Sequence, residues 1–490
     1  MIRRLAALLL LAALRPAAAQ DGPVVAVHYM PWFQARPFGA AWGWHWTMNR
    51  FDPETTGADG LPLLASHYHP EIGPYDSRDP DVIEYHLLLM RVAGIDGVAV
   101  DWYGTSSLYD YPLIDAATNA VWAGVGRAGL RFAVCYEDAS VGALVAAGRI
   151  PASQAVAQAQ ADLARVRDRW TGDARTLTVG GAPVVLAFGP RYLRTSAEWT
   201  RALGVFPTPP AFVTEDARLA PAAAGAYPWP PMWASVGGVL TPARLGQYLD
   251  TFYAAGAAWP LPVGGAFTGF HDIYAQAGVG ASYGYLDDRG GQTLAETLAR
   301  AAAADVPVVQ VATWNDFGEG TMIEPTVERG TRDLETVQAF VRARRAMPFA
   351  AADFDLPLRL YRARASADAG TDARLDDAAA RIAAGDPAAA RTILDALGST
   401  ATEALPPGPD VSVGPTPSRG AVTLAFTLPE AAHVRADVFD AAGRRVARIV
   451  DAALGAGTHR AAWSAGAPGT YVVRLQAGAA VATRRVVIVR

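Results

Sequence analysis

Between residues 24 and 345, short unbroken apolar runs alternate with longer stretches in which apolar residues recur at helical spacing. The runs read as strands at Val24–Tyr29, Gly97–Trp102, 130–136, 183–188, 211–214, Gly225–Tyr227, 261–267 and 306–312. Helical stretches such as 82–92 and 152–170 lie between them, so the pattern predicts a parallel (β/α)8 TIM barrel over residues 22–350. Proline and glycine interrupt the fifth and sixth units. A helical extension over 351–400 follows, in which 375–397 reads as two Ala-rich helices broken at Gly385-Asp386-Pro387. Residues 401–418 read as a stiff, Pro-rich linker. From 419 to 490 the period changes to two, with Val422, Leu424 and Phe426, then Val434 and Val438, then Tyr471, Val473 and Leu475, and last Val487 and Val489. That alternation predicts a small immunoglobulin-like β-sandwich behind the α/β barrel.

The chain has 490 residues, 51% hydrophobic and 18% charged, enough for a large core and more than one domain. Its 42 basic residues are all arginine, so lysine chemistry is excluded: no Schiff base and no P-loop lysine on a nucleotide phosphate. Cys135 is the single cysteine, which forbids internal disulfides and thiolate zinc clusters, and its apolar run reads as a buried strand. A net charge of -5, well dispersed, argues against nucleic acid as a partner. Residues 1–19 read as a signal peptide: Arg3-Arg4, an apolar run over 5–14, and small residues up to a cleavage point after Ala19. No later run is long and uncharged enough to span a bilayer, so a secreted or cell-surface protein exported through the periplasm is expected, without an integral membrane segment.

In a parallel barrel, residues just past the strand ends form the active face. Here these are His28, Tyr29 and Trp32; Asp101, Trp102 and Tyr103; Tyr136, Glu137 and Asp138; Glu215 and Asp216; Trp229 and Trp233; His271 and Asp272; and Asn315, Asp316 and Glu319. Acetal hydrolysis needs one carboxyl group to protonate the leaving oxygen and a second to handle a nucleophile, with aromatic faces to stack on sugar rings. The inventory contains both. A metal centre built from His28, His271 and carboxylates lacks a His-x-x-x-His or comparable ligand pair, and neither metal nor cofactor is assigned.

Several motifs resemble glycoside hydrolase family 99, the endo-α-mannosidases: His28-Tyr-Met-Pro-Trp-Phe33, Trp44-His-Trp46, His69-Pro-Glu-Ile-Gly-Pro-Tyr-Asp-Ser77 with Asp79-Pro80, Ala93-Gly-Ile-Asp-Gly-Val98 and Trp102-Tyr-Gly104. Ala312-Thr-Trp-Asn-Asp-Phe-Gly-Glu-Gly-Thr-Met-Ile-Glu-Pro325 is similar to that family's Trp-Asn-Glu-Trp-x-Glu-Gly-Thr-x-Ile-Glu-Pro. The resemblance implies that Glu319 acts as acid and then base, while the carboxylate at 316 deprotonates a sugar 2-hydroxyl to close a 1,2-anhydro sugar with retention. This chain has Asp316 where the family has glutamate, so the base is withdrawn by roughly 1.5 Å, a displacement that can cost about a hundredfold in rate. The Asn-Asp-aromatic-Gly-Glu arrangement is also similar to family 71, the α-1,3-glucanases, whose likeness implies inversion with one carboxylate activating water. A third reading is a surface polysaccharide-binding protein whose catalysis was lost with the change at Asp316. Sugar contacts are expected from Glu137, Tyr136, Trp102, Asp101, His28, Tyr29, Trp46, His271, Asp272 and Asn315, and Glu324 reads as a loop anchor.

The last segment resembles the C-terminal sorting domain of type IX secretion substrates. Pro415-Thr-Pro-Ser-Arg-Gly420, Val438-Phe-Asp-Ala-Ala-Gly-Arg-Arg445, Gly457-Thr-His459, Trp463 and Pro468-Gly-Thr-Tyr-Val-Val-Arg474 carry the likeness. It implies an export address read by the type IX machinery, with no chemistry of its own.

Overall fold

A computed structural model describes residues 22–57, 60–365, 369–400, 410–414, 418, 421–428, 431–440, 445–464, 466–477 and 480–488; the signal-peptide reading of 1–19 lies outside them. The chain forms two compact units, one of the described residues up to Trp46 with Ser66–Arg391, the other of Thr47–Ala65 with Thr392–Arg490.

The first unit is a barrel of eight parallel strands: β1 (Val24–Tyr29), β2 (Gly97–Trp102), β3 (Arg131–Tyr136), β4 (Ala182–Ala187), β5 (Ala211–Glu215), β6 (Gly225–Tyr227), β7 (Val263–Phe267) and β8 (Val308–Ala312). Around the barrel they run β6-β5-β4-β3-β2-β1-β8-β7. Between β6 and β7 the ladder is replaced by a hydrogen bond from the Leu261 amide to the Ala224 carbonyl at 3.1 Å. Gly225 is required at this seam, because a Cβ there would lie 1.6 Å from the Leu261 carbonyl oxygen. The fifth and sixth strands are therefore real despite their glycine and proline content.

Helices cover the outer faces of the strands. Pro80–Ala93 starts where the Asp79 side chain accepts from the Asp81 amide, with Pro80 at the first position, and stops at Gly94, whose φ of 78° only glycine adopts easily. Its apolar face buries Val82, Ile83, Leu87 and Met90. The helical extension contains Asp355–Arg364, Ala369–Ala384 and Pro387–Thr400, interrupted at Gly385 and Asp386. It is tied to the barrel by Arg364 Nε to Glu84 Oε2 at 2.9 Å and Arg91 Nε to the Ala383 carbonyl at 2.9 Å.

The second unit contains two antiparallel sheets. One pairs β9 (Asp410–Gly414) and β13 (Gly457–Ser464) on either side of β10 (Ala421–Leu428); the other orders β12 (Arg445–Leu454), β11 (Ala432–Asp440), β14 (Gly469–Ala477) and β15 (Ala480–Ile488). Both contribute to one apolar cluster that includes Leu424, Phe426, Val434, Val438, Val473 and Leu475. One detail differs from the sequence reading. Residues 410–414 lie within the expected linker but pair with β10, Val411 opposite Phe426, because their own alternation outweighs the flanking prolines. In β15 Val486 and Ile488 are buried, and the expected position Val489 lies outside the described residues. Residues 486–489 are four consecutive apolar residues, so hydrophobicity alone cannot choose the face.

Candidate active site

The loop that leaves β8 is fixed before it reaches the barrel mouth. Asn315 is fully buried: its Oδ1 accepts from the Met30 amide at 2.8 Å, and its Nδ2 donates to the Met30 carbonyl at 2.9 Å and the Tyr75 hydroxyl at 3.0 Å. The Tyr75 hydroxyl donates in turn to Glu324 Oε2 at 2.7 Å, and Glu324 Oε1 lies 3.2 Å from His86 Nε2. Tyr29 closes this network on His86 Nδ1 at 3.1 Å. Farther along the loop, the Glu319 and Gly318 carbonyls accept from the His271 and Ile273 amides at 2.8 and 3.0 Å. The loop is thus held both to β1 and to the segment after β7.

Between these anchors sit the two carboxyl groups. The Asp316 amide donates to Thr313 Oγ1 at 2.8 Å, and Asp316 Oδ1 accepts from the Glu319 amide at 2.9 Å. Burial lifts Asp316 from an ordinary 3.8 to about 7; the Glu319 and Gly318 amides pull it down, while the charge on Asp101 adds to the rise. Glu319 is held well above the usual carboxylate range, first by burial and then by Asp316, while a hydrogen bond from the Tyr274 hydroxyl to its Oε1 at 3.2 Å opposes the rise. Glu137 is pushed up in the same way by burial and by Asp101 and Asp138, against the pull of Arg191. Burial also raises Glu215 to about 7, moderated by Arg191, whose Nη2 lies 2.7 Å from Glu215 Oε2. Asp316, Glu319, Asp101, Glu137 and Glu215 therefore form one electrostatically linked group at the C-terminal ends of the strands.

Strand parity sorts the remaining expected contacts. Neighbouring strand residues point to opposite faces. Asp101 and Cys135 are register partners on the inner face, and the next pair, Trp102 and Tyr136, points outward. Trp102 Nε1 donates to Asp115 Oδ1 at 3.1 Å, and the Tyr136 hydroxyl donates to Asp162 Oδ2 at 2.7 Å. Tyr29, one residue past the inward His28, is outward by the same rule. Trp46 is fully buried, stacked on Phe33 with its Nε1 donating to the Tyr75 carbonyl at 2.8 Å. Asp272 accepts from Ser282 Oγ at 2.9 Å and the Tyr283 amide at 2.7 Å. These five residues and Asn315, read from the sequence as sugar contacts, have their polar atoms committed to the protein itself. His271 stacks on His67, with centroids 3.7 Å apart. Tyr274 and Arg191 were not among the expected site residues, and Glu215, an acid at the end of a strand, was placed on the active face but not among the expected sugar contacts.

Residues 23–121 match glycosyl hydrolase family 99, and residues 412–489 match the secretion system C-terminal sorting domain. A glycoprotein endo-alpha-1,2-mannosidase-like protein of Danio rerio is 50% identical over 40 residues, 8% of this chain and 9% of the relative. The glycoprotein endo-alpha-1,2-mannosidase of Mus musculus is 47% identical over 47 residues, 10% of each chain. The chain thus aligns with about a tenth of the length of these curated relatives. The structure of the GH99 endo-alpha-mannosidase from Bacteroides thetaiotaomicron superimposes with a TM-score of 0.48 at 18% identity, covering 66% of this chain and 99% of that one. The family match includes β1 and β2 but ends before Glu137, Asp316 and Glu319. No helix among the described residues is long and apolar enough to cross a membrane. Over residues 23–121 the chain is similar to glycosyl hydrolase family 99, and over residues 412–489 to the secretion system C-terminal sorting domain.

Proposed function

We infer that this protein is an exported glycoside hydrolase that cleaves α-linked polysaccharide or oligosaccharide, mannan-like by first choice, in an endo manner. The observation that carries this reading is the pair of buried Asp316 and half-buried Glu319, held on one doubly anchored loop and set in unlike surroundings. Two adjacent carboxyl groups cannot both ionise freely, so one keeps a proton to give and the other becomes a base. Glu319 protonates the glycosidic oxygen as the bond to the sugar breaks. Asp316 takes the proton of the 2-hydroxyl, whose oxygen closes on the anomeric carbon. The Glu319 carboxylate then takes a proton from water, which opens the anhydro ring, and Asp316 returns its proton to the 2-oxygen. Glu137 and Glu215 supply hydrogen-bond acceptors for sugar hydroxyls. The sorting domain supports export to the cell surface or beyond.

One observation favours the binding-only reading. Asp316 caps its own loop through the Glu319 amide, which competes with reaching a sugar hydroxyl. A panel of α-mannans and α-glucans, assayed for new reducing ends, tests both. Hydrolysis of a mannan that Glu319→Gln reduces about a thousandfold or more, with oligosaccharide binding retained, is the expected result. Undiminished hydrolysis in that variant removes Glu319 from the chemistry. Binding without cleavage across the panel, converted to cleavage by Asp316→Glu, establishes the second reading. The anomer of the first product, followed by NMR, distinguishes retention from inversion.

A further inference from the structure

The inner face of the barrel carries a polar group that hydrolysis by Asp316 and Glu319 does not use. His28 on β1, Asp101 on β2 and Cys135 on β3 are 0%, 2% and 0% exposed, and one ligating atom from each, an imidazole nitrogen, a carboxylate oxygen and Sγ, lies within 4.8 Å of the other two. His28 Nε2 and Asp101 Oδ1 are 3.7 Å apart, and neither has a hydrogen-bond partner among the described residues. Asp101 pairs with no arginine among the described residues, although Glu137 and Asp316 both feel its charge. A buried carboxylate with acidic neighbours and no arginine is costly unless a cation compensates it.

We propose that His28 Nε2, Asp101 Oδ1 and Cys135 Sγ together bind a divalent transition-metal ion of the zinc and cobalt type inside the barrel. Tetrahedral zinc, with bonds of about 2.0–2.3 Å, holds neighbouring N, O and S ligands roughly 3.3–3.6 Å apart, so His28 Nε2 and Asp101 Oδ1 are already near that spacing and Cys135 Sγ, within 4.8 Å, has to move inward by about 1 Å or less. A thiolate and a carboxylate offset the two charges of the ion, and the neutral imidazole completes a set of mixed ligands suited to zinc or cobalt. The surroundings support the ring. Gln310 Nε2 lies 3.0 Å from His28 Nδ1, and Gln310 Oε1 has no partner among the described residues. Exchanging the two ends of that amide makes Oε1 the acceptor for Nδ1–H, which leaves Nε2 with its lone pair toward the site. Trp229 packs its edge on the imidazole at 4.9 Å, and the Tyr227 hydroxyl sits 3.6 Å from Cys135 Sγ. Burial pushes the Cys135 thiol up, which suits an inert core residue, and metal coordination is what would deprotonate it. Spacing along the sequence conceals this site because each ligand comes from a different strand.

The experiment uses the full chain, produced once in zinc-supplemented medium and once in zinc-depleted medium with cobalt(II), so that loading accompanies folding. One metal ion per chain is expected by elemental analysis. The cobalt form should show a near-ultraviolet thiolate-to-cobalt band, and since Cys135 is the only cysteine, that band can have one origin. Cys135→Ser should abolish it while leaving the circular dichroism unchanged, and His28→Ala should lower the metal content at least tenfold. A wild-type chain that purifies metal-free from both media overturns the proposal, as does bound cobalt with no thiolate band. If Cys135→Ser fails to fold, the wild-type band and its loss in His28→Ala decide the question. None of these readouts depends on hydrolysis, so failure here and failure of the hydrolase reading are separate results.

Discussion

Asp316→Asn is a test in which function and stability should move in opposite directions. Asparagine has nearly the same shape and can still accept the Glu319 amide through its side-chain oxygen, so the loop cap at 2.9 Å survives. What disappears is the buried charge. Asp316 is 4% exposed, and burial raises it from 3.8 to about 7. A carboxyl group whose folded value is raised favours the fold fully below its unfolded value and loses that contribution as pH rises through about 7. The difference of about three units corresponds to about 4 kcal/mol. Wild type and variant should therefore be equally stable near pH 4, and the variant should be more stable by about 4 kcal/mol near pH 8. Neutralising Asp316 also relieves Glu319, which its charge raises. Urea denaturation followed by tryptophan fluorescence reads the barrel almost alone, since Trp463 is the only one of 13 tryptophans beyond residue 418. Hydrolysis should fall about a hundredfold or more in the same variant, because the amide cannot act as a base. Identical pH dependence in the two proteins, or a variant less stable near pH 8, would refute the assignment of a buried charge to Asp316.

Tyr274→Phe removes the hydroxyl that restrains Glu319, so the alkaline limb of the rate profile should move up by about half a pH unit; a downward shift would show that the contact does not stabilise the charged form. Asn315→Ala deletes three hydrogen bonds and strands the buried Met30 amide and carbonyl, which should cost about 3 kcal/mol in urea denaturation; a loss below about 1 kcal/mol would mean the β8 loop is anchored elsewhere. Deleting residues 419–490 should leave an otherwise folded barrel in the periplasm of a host with type IX secretion, measured by fractionation, and normal release of the truncated chain would dismiss the export role.

The hydrophobic pattern alone determined the barrel. Eight apolar runs separated by helical stretches have one economical closed arrangement, and even Gly225–Tyr227, weak by composition, is a strand because its glycine is what the seam requires. Residue type and position past β8 likewise singled out Asp316 and Glu319 as candidates and read Glu324 as a loop anchor, which its bonds to Tyr75 and His86 match. Facing was not legible. Trp102, Tyr136 and Tyr29 stand next to inward residues and turn outward through the period of two, and in the unbroken apolar run 486–489 hydrophobicity alone does not choose a face. Nor could the sequence show which polar atoms were already satisfied. Asn315 and Asp272 look like ligands in a linear reading and become braces once their partners, 285 and 10–11 residues away, are in place. A sequence fixes the order of side chains along each strand. Only the closed barrel decides which of them meet, and that is why His28, Asp101 and Cys135 come together only in three dimensions.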